Sequence, residues 1–320
     1  MKIVVCGNYG AGNIGDEMIL EGLLALLKDI YPNSQVTILG KDLPKFPSGF
    51  RSFFQPFKKT REAVKNCDLF ILGGGGLFAG LEPRANFIWG IQAKWAYHYK
   101  KPVLMLGQSV GPTTSNFIKK IFNQTTFIAV RDLDSKTNLQ NIGITKEIYV
   151  TPDLAFYTQT QIPQTRAKEI LVALRQMPNL PQDFIPNIAN FLDTKISEGW
   201  SVKMCNFQTG QNSDQIIHAA VLAQMKNSSS VTSLGNLSTF NSSFILGMRL
   251  HSIIFAIKTK TPFLAINYAP KVEGLLKTFN LFDHLINIDQ TSHISTKFGV
   301  PSHTQFDINI DRDTMTPYFL

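Results

Sequence analysis

The segment Gly247-Met248-Arg249-Leu250-His251-Ser252 places an arginine and a histidine close together after a glycine. It falls where a predicted strand at 244–248 passes into a predicted helix at 250–258. Arg249 and His251 would flank the N-terminus of that helix, where unpaired backbone N–H groups favour anions. A histidine there can bind phosphate or act as a general acid near neutral pH. The structural alternative is a histidine whose hydrogen bonds are made within the fold, but the nearby arginine favours a functional role.

Two further cations stand at predicted strand-to-helix turns. Lys271 lies in the first turn of the predicted helix 270–279. A cation there opposes the helix dipole, so we expect an anionic ligand beside it, with a solvated lysine as the alternative. Arg131 ends a predicted strand, where an arginine can bind a carboxylate or phosphate through two hydrogen bonds. The alternative for Arg131 is a salt bridge to Asp132 or Asp134.

The stretch Gly10-Ala11-Gly12-Asn13-Ile14-Gly15 fits the dinucleotide-binding pattern G-x-G-x-x-G, but its surroundings do not. The predicted strand 2–7 ends before the first glycine, whereas the dinucleotide motif turns directly off its strand. Asp16 and Glu17 would repel a phosphate at the following helix N-terminus. Lys41 stands where an acid should bind the ribose. A structural glycine-rich turn is the better interpretation.

Other predicted strands of the first half also end in unusual residues. Asn8 and Tyr9 follow the first strand, and Gly73-Gly74-Gly75-Gly76 follows the third. Consecutive glycines let the backbone approach a ligand closely or present N–H groups to it. Gln108 follows the next strand. Ligands of parallel α/β sheets bind beyond the carboxyl ends of the strands, so we expect these residues at a binding site.

Composition sets limits on the class of protein. The chain has 320 residues, 44% of them hydrophobic, and a net charge of +8 from 31 basic and 23 acidic residues. The basic residues are dispersed along the sequence without a block of five, which argues against a nucleic-acid-binding tail. The surplus suits an anionic substrate or an acidic membrane surface, with plain solubility as the alternative.

The three cysteines and the N-terminus indicate a cytoplasmic protein. Cys6, Cys67 and Cys205 are far apart and lie in or beside apolar runs, so we expect buried thiols without disulfides. No His/Cys/Asp cluster has metal-ligand spacing, and we expect neither a metal nor a cofactor. The chain enters a strand directly without a signal peptide, and no apolar run is long enough to span a bilayer.

Apolar runs alternate with helical patterns, which is typical of parallel sheets covered on both faces. The predicted strands are 2–7, 35–40, 68–72, 102–107, 127–131, 147–151, 169–175, 201–206, 230–234, 244–248 and 262–267. The predicted helices are 16–30, 58–66, 84–100, 115–124, 133–142, 183–197, 213–226, 236–241, 250–258 and 270–279. We predict two Rossmann-like, doubly wound α/β domains facing a cleft. Their bounds are 1–158 and 169–289, with a linker at 159–168 and a C-terminal tail at 290–320.

Seven short motifs, taken in order, resemble the polysaccharide pyruvyltransferase family, in particular its bacterial cell-wall type. They are Gly7-x-x-Gly10 with Asn13-x-Gly15-Asp16; Gly73–Gly76; Gly107-Gln108-Ser109-Val110-Gly111-Pro112; Val130-Arg131-Asp132 with Ser135; Pro152-Asp153-Leu154-Ala155-Phe156; Gly247-Met248-Arg249-Leu250-His251; and Tyr268-x-Pro270-Lys271-Val272. Each motif is weak alone, but their order over residues 7–272 is specific.

The resemblance implies a fold like that of GT-B glycosyltransferases and the transfer of pyruvate from phosphoenolpyruvate to a sugar as a cyclic ketal. It implies that the C-terminal domain holds the donor and the N-terminal domain an acceptor saccharide, often lipid-linked, so we also expect contact with the inner membrane surface. The residues that match the family's donor site are Arg131, Arg249, Leu250, His251 and Lys271. For the acceptor we expect Asn8, Tyr9, Gly74, Gly75 and Gln108.

This chemistry fits the residues singled out above. Phosphoenolpyruvate carries a phosphate and a carboxylate and needs several cations. We expect His251 to be the acid that protonates its methylene carbon, and Asp16 to be the base that accepts the sugar hydroxyl proton. One alternative is a GT-B glycosyltransferase that uses a nucleotide sugar, with Glu273 holding the ribose. Another is a non-catalytic saccharide-binding relative. The region after Asp289 departs from the pattern, because it lacks the terminal helix common in GT-B folds.

Overall fold

The computed structural model describes residues 1–40, 54–80, 83–158, 165–210, 213–234, 237 and 240–299. Contacts between residues divide the chain into two compact units. Within the described residues, unit 1 comprises 1–158 and unit 2 comprises 165–299. Each unit has its own parallel sheet and its own hydrophobic core.

Unit 1 contains seven described strands in one parallel sheet. The strands are β1 (Lys2–Cys6), β2 (Gln35–Leu39), β3 (Leu69–Leu72), β4 (Gly75–Phe78), β5 (Val103–Val110), β6 (Phe127–Val130) and β7 (Tyr149–Val150). The helices are α1 (Ile14–Ile30), α2 (Phe54–Asn66), α3 (Pro83–His98), α4 (Asn116–Gln124) and α5 (Leu133–Asn141). The strand order is β2-β1-β3-β5-β6-β7, and β4 pairs with the carboxyl end of β5.

Helices cover both faces of this sheet, which explains why β3, β5 and β6 are buried along their whole length. On one face, α1 lies against the 3-10 turn Leu154–Tyr157. A Cβ at Gly22 of α1 would lie 1.9 Å from the Leu154 carbonyl oxygen, so only glycine allows this approach. On the other face, α2, α3 and α4 enter one core together with the alternate residues of the strands.

Unit 2 contains six described strands, all parallel, in the order β10-β9-β8-β11-β12-β13. The strands are β8 (Ala167–Ala173), β9 (Ser201–Cys205), β10 (Val231–Leu234), β11 (Ser242–Gly247), β12 (Phe263–Asn267) and β13 (Leu285–Asn287). The helices are α6 (Phe184–Ser197), α7 (Gln215–Gln224), α8 (Leu250–Lys258), α9 (Pro270–Thr278) and α10 (Ile294–Lys297).

The segment after Asp289 packs onto unit 2 as far as it is described. It continues as a 3-10 turn ending at His293 and then as α10. The ring centroid of Phe298 lies 4.4 Å from that of Phe244 and 5.2 Å from that of Trp200. Within the predicted C-terminal tail, residues 290–299 therefore pack on unit 2 through Ile294 and Phe298; residues 300–320 lie outside the described residues.

The predicted fold class of two parallel, doubly wound α/β sheets is confirmed, and the corrections concern element bounds. The expected glycine loop 73–76 contains the start of β4, and β5 continues to Val110 where an end at residue 107 was predicted. Glycine has a low strand propensity, so strand β4 and the last three residues of β5, which follow Gly107, were not predicted. Strand β8 begins inside the predicted linker, of which 159–164 lie outside the described residues.

The other differences concern single elements, among them helix α2, which begins four residues earlier than predicted. Helix α1 begins at Ile14, two residues earlier than predicted, because the Asn13 side chain caps it by accepting from the N–H groups of Gly15 and Asp16. Strand β13 was missed because it has three residues. Of the predicted helix 236–241, residues 236, 238 and 239 lie outside the described residues, and Phe240 and Asn241 are not helical. Lys41 also lies outside the described residues. Among the described helices, none combines the length and apolar character needed to cross a bilayer.

Candidate functional site

The carboxyl ends of the central strands of unit 2 bring several polar residues to one edge of the sheet. Arg175 follows β8, Asn206 follows β9, Arg249 follows β11 and Tyr268 follows β12. Because all these strands are parallel, their carboxyl ends share one edge, and in α/β sheets this edge binds ligands. The helices α8 and α9 begin at the same edge, so their N-termini also point there.

Arg249 is held by Asp214, a partner that sequence reasoning missed. The guanidinium Nε donates to the two carboxylate oxygens at 3.1 and 3.0 Å, and Nη2 also donates to Oδ1. Asp214 is fully buried and its side chain also accepts from the backbone N–H of Gln208 at 3.0 Å. A buried carboxylate needs such partners, since an unpaired buried charge is costly. The pair therefore fixes the guanidinium at the start of α8 and neutralises much of its charge.

His218 locks the ends of β8 and β9 together. Its Nε2 accepts from the backbone N–H of Leu174 at 3.2 Å, so the proton of the neutral ring is on Nδ1, which lies 2.7 Å from Oδ1 of Asn206. Burial, together with the nearby charge of Arg249, lowers the pKa of His218 to about 4. His218 is therefore a neutral, structural histidine beneath the edge, and sequence reasoning did not single it out.

Arg175 and Lys271 both lie against Tyr268. Nη1 of Arg175 donates to the Tyr268 hydroxyl at 3.0 Å, and its guanidinium lies 5.1 Å from the ring centroid. The Lys271 ammonium lies 5.3 Å from the same centroid. Burial alone would raise the pKa of Tyr268, but the charges of Lys271 and Arg175 and their hydrogen bonds outweigh it, so the pKa is lowered. Two cations thus converge on one phenol at the strand edge.

Arg175 is the main residue that sequence reasoning missed at this edge. It is the last residue of the predicted strand 169–175, so the criterion that singled out Arg131 could have found it. No carboxylate lies within 4.0 Å of it among the residues that the structure describes. Arg175 therefore differs from Arg249, whose charge is matched by Asp214.

His251 and Leu250 occupy the first turn of α8, as predicted. His251 is half-buried and Leu250 is buried. The turn before them is tight: a Cβ at Gly247 would lie 2.7 Å from Oγ of Ser252, which donates to the Arg249 carbonyl at 2.6 Å. The structure therefore brings together four of the five predicted donor-site residues, namely Arg249, Leu250, His251 and Lys271, at one edge of unit 2.

The fifth predicted donor residue, Arg131, lies in unit 1 and is engaged there. Its Nη1 donates to Asp153 at 2.8 Å and its Nε to Ser109 at 2.7 Å. Asp132 lies 3.9 Å from Nε and mainly caps α5 by accepting from the backbone N–H of Ser135. The alternative of a salt bridge is thus realised with Asp153 as the chief partner, and contact between Arg131 and a donor stays a prediction.

Asp16 lies at the start of α1 in unit 1. Its carboxylate accepts from Nδ2 of Asn8 at 2.8 Å, and a Cβ at Gly75 would lie 3.4 Å from its Oδ1. Burial raises the pKa of Asp16 to about 6, although the Asn8 hydrogen bond and the charge of Arg131 act in the opposite direction. A carboxylate with such a pKa is suited to accept a proton near neutral pH.

The other predicted acceptor residues form the framework around Asp16 and Asn8. Tyr9 and Gln108 are fully buried, and Gly74 and Gly75 are buried as well. Gln108 Nε2 donates to the carbonyl groups of Leu72 and Gly73 at 3.0 and 2.5 Å. All four residues are buried, and their contact with an acceptor stays a prediction.

Comparison with solved structures shows the fold class of the protein. MnaA of S. aureus, solved with UDP, is 12% identical and superimposes with a TM-score of 0.59 over 92% of this chain and 87% of its own. A glycosyltransferase from Rickettsia africae is 13% identical, with a TM-score of 0.56 over 99% and 93% of the two chains. These likenesses confirm the predicted GT-B-like fold.

The sequence identifies the family within that class. The family model for polysaccharide pyruvyl transferases matches residues 13–270, and the chain belongs to this family. It is also similar to the amylovoran biosynthesis protein AmsJ of Erwinia amylovora, with 25% identity over 88% of this chain and 86% of that protein. The family matched is the one that the sequence motifs resemble.

Proposed function

We propose that the protein transfers the pyruvyl group of phosphoenolpyruvate to a sugar of a polysaccharide or lipid-linked saccharide, forming a cyclic ketal. Family membership supports pyruvyl transfer. The observation that carries the choice of donor is the cationic edge of unit 2, where Arg175 and Lys271 converge on Tyr268 beside the N-terminus of α8.

Phosphoenolpyruvate matches this edge in charge. Its phosphate and carboxylate sit on one carbon skeleton, so it needs cations on two sides. An arginine binds either group through parallel hydrogen bonds, and a helix N-terminus adds backbone N–H groups. In the proposed complex, Arg175 and Lys271 bind one anionic group, while Arg249 and the first turn of α8 bind the other.

His251 is the proposed acid. Its proton goes to the methylene carbon of phosphoenolpyruvate as an acceptor hydroxyl oxygen bonds to the adjacent carbon, and Asp16 takes the hydroxyl proton. A second hydroxyl of the same sugar then bonds to that carbon as the bond between the carbon and the phosphate oxygen breaks, the proton of this hydroxyl passes to the departing inorganic phosphate, and the ketal closes. A base works best when its pKa is close to the operating pH, which the raised pKa of Asp16 satisfies.

Phosphate release tests the donor assignment. The purified protein is incubated with phosphoenolpyruvate and a panel of hexose and hexosamine glycosides. We expect Arg175→Gln to raise KM for phosphoenolpyruvate at least about tenfold, since a charge-assisted hydrogen bond contributes roughly 1.5–3 kcal/mol. The matched control is Lys168→Gln at the amino end of the same strand, whose ammonium donates to the Glu198 carbonyl; this variant should be unchanged.

Ligand-induced stabilisation separates the proposal from nucleotide-sugar chemistry. Phosphoenolpyruvate should raise the thermal midpoint of the protein, because a ligand that binds only the folded state stabilises it. A midpoint raised by UDP-sugars and unaffected by phosphoenolpyruvate would overturn the proposal in favour of a glycosyltransferase.

A pH profile tests Asp16. Since the base must be deprotonated, kcat/KM for the acceptor should rise with pH through about 6, the pKa of Asp16. Asp16→Asn should lower kcat/KM by two orders of magnitude or more, within the roughly 10²–10⁴-fold range of general base catalysis, and remove this limb. Glu21→Gln, an exposed position on the same helix, should keep it. If kcat/KM still rises with pH through about 6 in Asp16→Asn, another residue is the base.

A further inference from the structure

Basic residues are concentrated on one side of unit 1. Within residues 58–66, 86–101 and 116–124, nine lysines and arginines stand against a single acid, Glu62. The net charge of these segments is +8. These segments belong to α2, α3 and α4 and the turn after α3, and the three helices share one core on the same face of the sheet. The fold thus collects charges that are dispersed in the sequence.

Apolar side chains stand exposed on the same helical layer. Phe87 and Ile88, near the start of α3, are 53% and 40% exposed. The Phe87 ring stacks on that of Phe117 at 5.8 Å, across the start of α4. A Cβ at Gly90 would lie 2.4 Å from the Phe117 ring, so the glycine seats this aromatic pair. Leu133, which opens α5, is 66% exposed.

Basic groups lie along the same helices, beyond the exposed apolar pair. The Lys94 ammonium lies 6.0 Å from the ring centroid of Phe117. Lys94 follows the exposed pair Phe87 and Ile88 further along α3. Arg61 donates to the Tyr99 hydroxyl at 2.8 Å and lies over its ring. Lys58, Lys59 and Lys120 are exposed on α2 and α4. The outer surface of α2–α4 is therefore apolar at one end and basic along the rest.

We propose that this surface docks on a membrane rich in anionic lipids, with Phe87 and Ile88 entering the headgroup region. Exposed apolar side chains framed by lysines match the two attractions that such a membrane offers, apolar burial and its negative surface potential. Helices α3 and α5 begin at the carboxyl edge of the sheet, so docking brings the Asp16 edge of unit 1 towards the lipid. Docking itself does not depend on which group the enzyme transfers; only its use for a lipid-linked acceptor rests on the proposed function.

Vesicle binding tests the proposal with the full chain. Vesicles of phosphatidylglycerol and phosphatidylcholine should sediment the protein, vesicles of phosphatidylcholine alone should not, and added salt should weaken binding. Lys94→Gln and Lys120→Gln should each weaken binding about fivefold, since each basic group near an anionic surface contributes a factor of that order. Lys226→Gln, an exposed lysine of unit 2, is the control and should leave binding unchanged.

The contribution of the exposed apolar residues is tested with a variant and a matched control. Phe87→Ser with Ile88→Ser should reduce binding more than about tenfold, because two partly exposed apolar side chains no longer enter the headgroup region. Ile216→Ser removes a side chain that is 52% exposed in unit 2 and should have no effect. Equal binding to neutral vesicles, or binding unaffected by both sets of changes, overturns the proposal. A dimer in light scattering that Phe87→Ser dissociates, without vesicle binding, also overturns it and assigns the surface to self-association.

Discussion

Asp214 offers the sharpest test of how unit 2 is held together. The carboxylate is fully buried and Arg249, its partner, has a side chain only 12% exposed, so the pair is removed from solvent. Asp214→Asn keeps the shape but leaves the guanidinium without a counter-charge. Removing one partner of a buried pair costs roughly 3–5 kcal/mol, and because the amide still offers one acceptor oxygen we expect about 3 kcal/mol.

The tryptophans allow this loss to be measured in unit 2 alone. The chain has three, and Trp200 is the one in unit 2. In a background of Trp89→Phe and Trp95→Phe, Trp200 fluorescence reports urea unfolding of that unit. With slopes of about 1–3 kcal/mol per molar urea, Asp214→Asn should lower the midpoint by about 1–3 M.

The control is an ion pair in the same unit with one exposed partner. Lys195 and Glu198 lie 2.8 Å apart; the Glu198 side chain is 48% exposed and that of Lys195 11%. Because the Glu198 carboxylate is open to water, its ion pair contributes about 0–1 kcal/mol, so Glu198→Gln should shift the midpoint little. If Asp214→Asn shifts it no more than Glu198→Gln does, the argument that a desolvated pair anchors Arg249 is refuted.

Two further predictions concern buried groups. His218 has a folded-state pKa of about 4 against an ordinary value of 6.5, so unit 2 keeps its full stability above pH 6.5 and loses roughly 3 kcal/mol as the pH falls to 4. Urea unfolding across this range should show the loss, and His218→Gln should flatten it; an unchanged slope would assign the pH dependence to other groups. In unit 1, a Cβ at Gly73 would lie 1.9 Å from the Tyr9 hydroxyl, so Gly73→Ala should cost roughly 1–3 kcal/mol. Tyr9→Phe should recover part of this loss, because its hydroxyl has no hydrogen-bond partner among the described residues; a loss that Tyr9→Phe leaves unchanged would contradict the contact.

The fold could be predicted from the sequence because its signals are local. The runs that form β3 and β6 are apolar throughout, and the acids at the start of α1 complement the helix dipole. What failed was the interpretation of glycine. Gly75 and Gly76 were expected in a loop, but they start β4, whose pairing with β5 depends on a strand remote in sequence. Local patterns carry no information about such a partner.

The sequence predicted where the candidate site lies but not which of its cations are paired with carboxylates. An arginine at a strand's carboxyl end predicts that its side chain reaches the binding edge, and Arg249 does lie there. Whether that arginine can attract an anion depends on carboxylates that the fold brings to it. Asp214 precedes Arg249 by 35 residues and Asp153 follows Arg131 by 22, and no periodicity links either pair.

The ion pairs suggest different roles for the two arginines of unit 2, Arg249 and Arg175. An arginine held by a buried aspartate keeps its orientation but adds little net charge, so Arg249 is suited to positioning an anion through its remaining hydrogen-bond donors. Arg175 has no carboxylate within 4.0 Å among the described residues, and with Lys271 it lowers the pKa of Tyr268 in spite of burial. The same two charges would act on an anion bound beside Tyr268. In the proposed complex, the attraction for a doubly anionic donor would come mainly from Arg175 and Lys271, and its orientation from Arg249 and the first turn of α8.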